Sequence, residues 1–342
     1  MRAGRRRTRC YMKLSVNNKK TTAAYISAAI LLVLSALVGV SFGASGVGLG
    51  GLFDALSGDV STADARIFIY VRLPRVMASL VCGAAFAVSG AVIQGVLANS
   101  LASPSIIGVS SGAGLAVTVC TALGCIGGAQ LSFFSFIGAL GAVMLVTLLA
   151  ARFGTSESTL ILVGVAMNSI LGALSDAVIT VSPDTAVMSH DFRIGDFSSV
   201  TYQRLIPSAV TVITVLIILF MLSSELDVLS LGEDSARSLG MNTAVMRALL
   251  LILAALLAGC AVSVCGLLSF VGLIIPHAVR RAVGSGARHL LPLSALLGAG
   301  FVTLCDTIAR TVLSPYEIPV GIIMAFIGAP TFILILVKRR SV

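Results

Sequence analysis

Long apolar runs, separated by short polar breaks, fill almost the whole chain. Ten of them cover residues 22–42, 72–95, 105–124, 131–151, 159–181, 205–222, 247–265, 267–282, 290–310 and 319–337. An apolar run of about 18 residues or more is long enough to cross the hydrocarbon core as a helix. The pattern therefore predicts an all-α polytopic membrane protein with about ten transmembrane helices. The eighth run is short and reaches Pro276-His277, so a break or tilt is expected at that proline. One long polar insertion, residues 223–243, separates the sixth and seventh runs. In it, Ser230-Leu-Gly-Glu233 reads as a capping box and Gly240 as a helix stop, which predicts a short helix over about 231–239.

Composition and charge narrow the class. The chain has 342 residues, 57% of them hydrophobic and 11% charged, against about 25% charged in soluble domains. A net charge of +9 would suggest nucleic acid in a soluble protein, but its placement points to a membrane and no nucleic-acid partner is expected. Eight of the 23 Lys/Arg precede residue 21, and Lys338, Arg339 and Arg340 close the chain. Basic flanks mark the cytoplasmic side. Both termini are thus expected in the cytoplasm, with residues 1–20 as a basic tail and 21–342 as the transmembrane domain. On this topology six arginines fall outside, against the rule: Arg66, Arg72, Arg75, Arg193, Arg204 and Arg310.

Candidate chemistry is sparse. Gly46, Gly48 and Gly51 fit G-x-G-x-x-G, but no strand precedes them as a dinucleotide site requires. No Walker A motif occurs, so any ATP use falls to another subunit. The seven cysteines and three histidines show no metal-ligand spacing. Asp306 and Arg310 share a helical face and read as a pair. Asp176, inside the fifth run, has no evident partner and is a pathway candidate, since an ionisable group in a span is a functional hypothesis. Small residues at helical spacing (Gly83/Ala87, Gly138/Ala142, Gly298/Val302) predict close helix packing. An ion-coupled secondary transporter would need an embedded charge network, and Asp176 alone is offered.

Several motifs in order carry a resemblance. They are RLPR at 72–75, GAAFAVSGAVIQG at 83–95, N-x-LA-x-P-x-IIG-x-SSGAG at 99–114, LG-x-x-x-ARSLG at 231–240, GLLSFVGLIIPH-x-x-R at 266–280, the Asp306–Arg310 pair, and Glu317-x-PVGI with IGAPTF beyond it. Together they resemble the FecCD family, the permeases of type II ABC importers for ferric siderophores, haem and cobalamin, over about residues 60–340. The resemblance implies a multi-pass permease in a bacterial cytoplasmic membrane, paired with a second permease subunit as a homo- or heterodimer. It also implies two cytosolic ATPases that use ATP and Mg, an extracytoplasmic binding protein and an iron chelate as cargo, with cobalamin or haem as alternatives. The subunit itself would bind no cofactor and do no covalent chemistry. By resemblance, Leu231, Gly232, Glu233, Ala236, Arg237 and Gly240 seat in the ATPase. Arg72, Arg75 and Arg310 dock the binding protein, and Asn99, Leu101 and Ser158 border the pathway. The chain departs from the family at Ser100, where a proline is usual, at Ser103, and in lacking a tryptophan in 188–200.

Overall fold

The computed structural model describes residues 18–43, 62–125, 127–153 and 157–340. The tail to residue 17 and the Gly46–Gly51 motif lie outside the described residues. Each of the ten apolar runs lies mainly on one helix. Seven helices are long and apolar enough to cross a membrane: α1 (Asn18–Ser41), α2 (Ala63–Val96), α4 (Gly128–Phe153), α5 (Glu157–Val181), α8 (Tyr202–Met221), α11 (Thr243–Cys265) and α13 (Ala287–Thr311). Shorter ones are α3 (Val109–Ala122), α12 (Val271–Val283) and α14 (Val320–Arg340). Four small helices join them: α6 (Asp184–Met188), α7 (His190–Ile194), α9 (Ser223–Ser230) and α10 (Glu233–Ser238).

Helices α2, α11 and α13 form the centre. In their most apolar stretches 83%, 78% and 61% of residues are buried, against 17–33% for α1, α4, α5 and α8. Small residues explain the difference, because apolar side chains gain little from leaving lipid and backbones must approach closely to gain contact. Gly83 meets the backbone of Gly298, Gly90 that of Gly272, and Gly112 that of Gly138; a Cβ at any of them would collide. Two buried hydroxyls of α2 are paired across these contacts: Ser79 Oγ lies 2.8 Å from Thr303 Oγ1, and Ser89 Oγ donates to Ala254 O at 2.7 Å.

The eighth run differs from its expected form. Helix α12 continues through Pro276, and the interruption lies at the other end, where Gly266–Phe270 is non-helical. Proline removes the N–H that would bond the carbonyl four residues back. That carbonyl, Gly272 O, instead accepts from Gln94 Nε2 on α2 at 3.2 Å. Gln94 Oε1 in turn accepts from Arg280 Nη1. The start of the non-helical segment is tied to neighbouring backbone and Leu268–Phe270 line a cavity of about 190 Å³, the two settings in which such backbone is tolerated at membrane depth. Leu267 N donates to Phe192 O at 2.9 Å, Asp196 N to Cys265 O at 2.9 Å, and Gly321 N to Gly195 O at 3.1 Å. Phe270 holds φ +68, a rare value for a bulky residue, with its ring over Gly328.

Candidate functional site

The described chain has two chemically distinct ends. At one end lie α9 and α10, the start of α11 and the Leu97–Gly108 loop after α2. Gly240, at φ +84, ends α10 in a Schellman arrangement: Gly240 N bonds Arg237 O at 2.9 Å and Met241 N bonds Ala236 O at 3.1 Å. The capping box is a correction. Ser230 belongs to the preceding helix, and its Oγ bonds Asp227 O at 2.7 Å. Gly232, at φ +98, is the N-cap of α10 and supplies no side chain. The insertion therefore holds two helices where one was expected. Glu233 ties α10 to its surroundings, accepting from Arg237 Nη2 at 2.5 Å and facing Arg247 Nη1 at 3.5 Å. Ala236 is buried, while Leu231 and Leu239 are 64% and 68% exposed. Asp227 Oδ1 accepts from Ala287 N at 2.8 Å, so α9 caps the start of α13.

The pathway candidates do not form one cluster. Asn99 and Leu101 are half-buried in the loop beside this end, with Leu101 N donating to Asn99 Oδ1 at 3.0 Å. Ser158, exposed, stands in the first turn of α5. Asp176 is exposed 18 residues further along α5, about 27 Å at 1.5 Å per residue. Asn168, between them, escaped the sequence reading. Its Nδ2 donates to Ser105 O (2.8 Å) and Ile106 O (3.2 Å), and its Oδ1 accepts from Ser111 Oγ (2.6 Å), which pins the loop to α5. A lone amide inside an apolar run was the available signal.

At the opposite end the structure brings Arg72, Arg75 and Arg310 together, but as buried groups with 4%, 4% and 2% exposure. They do not form an exposed ring. The reason is local: the C-terminal carbonyls of α1 need donors, and cations suit a helix C-terminus. Arg72 Nη1 donates to Ser41 O at 3.2 Å and Val40 O at 3.4 Å, and Arg310 Nη2 donates to Gly39 O. Asp306 is fully buried. It accepts from Arg75 Nε at 3.0 and 3.2 Å and faces Arg310 Nε at 3.5 Å. Arg75 also donates to Glu317 Oε2 at 2.6 Å and lies 3.8 Å from Asp196. The chain thus holds an interior charge network, where the sequence offered an isolated Asp306–Arg310 pair and a lone Asp176. Asp196 and Glu317 stand outside the spans and gave no sign of joining it. All three arginines line one cavity of about 430 Å³, with Gly43, Val71 and Glu317.

The FecCD transport family model matches residues 30–338. This chain belongs to that family. The hemin transport system permease HmuU of Yersinia pestis is 33% identical over 91% of this chain and 94% of its own. The vitamin B12 import permease BtuC of Vibrio vulnificus is 35% identical, covering 92% and 93%. A solved structure titled as an inward-facing conformation of a metal-chelate type ABC transporter superposes with TM-score 0.81 at 31% identity, covering 92% of this chain and 98% of that one. The FecCD chain is therefore an ABC importer permease, and its relatives are transport subunits that differ among themselves in cargo.

Proposed function

We propose that this FecCD permease moves an iron chelate across the cytoplasmic membrane, with haem or cobalamin as the alternative cargo. It works as one of two permease subunits, driven by two cytosolic ATPases that use ATP and Mg. The α10 end faces the cytoplasm with both termini, in keeping with the basic flanks. The observation that carries the reading is the α9–α10 projection. Leu231 and Leu239 stand exposed on either side of a capped helix held by Glu233, a rigid apolar-and-charged knob of the kind a partner cleft can hold. Leu231, Gly232, Glu233, Ala236, Arg237 and Gly240 then transmit ATPase closure to α11 and, through Asp227, to α13. Asn99, Leu101 and Ser158 border the pathway near that end, and Asp176 borders it toward the other. A lipid-facing carboxylate would be costly, so exposure of Asp176 in the single chain favours a partner subunit or water beside α5. The binding protein docks at the arginine end by placing an acidic side chain in the 430 Å³ cavity, where it competes with the half-exposed Glu317 for Arg75.

The test is uptake into proteoliposomes by the complex assembled with its ATPase and binding protein. A radiolabelled ferric siderophore, haem and cobalamin are offered in parallel. ATP-dependent accumulation of the iron chelate is expected. Accumulation of cobalamin or haem alone would reassign the cargo, and none at all from an ATPase-active complex would overturn the reading.

A further inference from the structure

The arginine end has a second opening, on its flank, that shares no lining residue with the 430 Å³ cavity. A groove of about 340 Å³ runs between α4, α8 and α11, with Phe133, Phe136, Pro207, Thr211 and Cys260 among its walls. Phe133, in the wall, and Ile206 and Val210, on the adjoining face of α8, are more than half exposed, so the groove borders an apolar surface. Arg204 sits in its wall. The guanidinium bonds neutral oxygens: Ser132 Oγ at 2.7 Å, Ser199 O at 3.2 Å, Ser199 Oγ at 3.3 Å and Ser263 O at 3.2 Å. No carboxylate of the described residues lies within 4.0 Å of it, whereas Arg75, Arg237, Arg247 and Arg310 each face one.

Two long helices start beside this cation. Gly128, the first residue of α4, is next to Arg204, and α8 begins two residues before it. The N-cap of α8, Thr201, makes no side-chain capping bond, and of the first-turn N–H groups that of Arg204 bonds Thr201 O at 3.1 Å, which leaves those of Tyr202 and Gln203 to a ligand. The positive ends of both helices add to the charge of Arg204. The negative end of α11, which reaches Arg204 through Ser263 O, offsets part of that and leaves a net positive site. A cation at the mouth of an apolar groove between spanning helices matches a ligand with an anionic head and a hydrocarbon tail.

We propose that this groove holds a membrane phospholipid, with its phosphate against Arg204 and the start of α8 and one acyl chain along Phe133 and Phe136. The test is native mass spectrometry of the detergent-purified complex, titrated with dioleoyl phosphatidylglycerol and, separately, with dioleoylglycerol. The wild type should retain phosphatidylglycerol in preference to the diacylglycerol. Loss of a charge-assisted contact should weaken retention by roughly tenfold in Arg204→Gln, and Arg204→Lys should restore most of it. Ser208→Trp blocks the groove while leaving every bond of Arg204 in place, so it should lose the lipid without loss of helical circular dichroism. Equal retention of the two lipids would overturn the headgroup assignment. Unchanged phosphatidylglycerol retention in both Arg204→Gln and Ser208→Trp would overturn the site. A fall in subunit stoichiometry on blocking the groove would show that a second protein chain, not a lipid, fills it.

Discussion

Asp306→Asn removes one negative charge from a fully buried position. In the native chain this carboxylate takes two bonds from Arg75 Nε, lies 3.0 Å from Arg75 Nη2 and 3.5 Å from Arg310 Nε. Asparagine fills the same volume but turns an amide N–H₂ toward groups that are themselves donors. Arg75 keeps Glu317 at 2.6 Å. Arg310 loses the only carboxylate of the described residues within 4.0 Å and keeps Gly39 O and Thr307 Oγ1. Breaking a buried pair by removing one partner costs about 3–5 kcal/mol. With Arg75 still compensated, the lower end applies, about 3 kcal/mol, or roughly a hundredfold in the unfolding equilibrium. Equilibrium unfolding in mixed micelles, followed by circular dichroism, measures it for Asp306→Asn, Arg310→Gln and the double variant. The two should couple by more than about 1 kcal/mol, because the second change removes the charge the first left unpaired. A single-variant cost under about 1 kcal/mol, or strict additivity, would refute the reasoning.

Gln94→Leu should cost about 1–3 kcal/mol by stranding Gly272 O and Arg280, and Gln94→Glu should recover the Arg280 contact but not the donor; the same unfolding assay reads both. Ser230→Ala should change stability by less than about 0.5 kcal/mol, whereas Asn242→Ala should cost about 1 kcal/mol, because Asn242 Oδ1 accepts from Val245 N and caps α11. Gly240→Ala meets nothing within 4 Å but must hold φ +84, so about 1 kcal/mol of strain should fall on α10; ATPase-coupled uptake should drop while membrane insertion, read by protease protection, stays normal. A cysteine at Asn99 or Leu101, in a background without the native cysteines, should react with a small aqueous thiol reagent at a rate that changes with bound nucleotide, and inertness in every state would reject their pathway placement.

The helices were legible because each apolar run is long and bounded by polar residues, and small-residue spacing announced where backbones touch, as Gly83 on Gly298 shows. Local pattern failed where a distant partner decides the outcome. Pro276 reads as a helix breaker until Gln94, 182 positions earlier, supplies the missing donor. The Ser230–Glu233 spacing fits a capping box, yet Leu226 and Leu229 bury against the core and extend α9 through Ser230. The arginines were picked out by standing on the disfavoured side of the topology, a rule about position relative to the membrane. That rule carries no information on the α1 carbonyls that draw them inward. Asn168 was readable as a lone amide in a span, but its partner loop was not.

The bond from Gln94 to Gly272 makes α2 and α12 a single strut. A slide of one residue, about 1.5 Å, or a modest roll of either helix would orphan a carbonyl and separate Gln94 from Arg280. The close backbone contact at Gly90 leaves no slack to absorb it. Any displacement of α12 would therefore carry α2 with it; the strut ends at the non-helical Gly266–Phe270 on one side and, on the other, at Gly284, at φ +90 in open space. The two helices form one rigid body, and its seam is fixed where Gln94 meets the carbonyl that Pro276 leaves open.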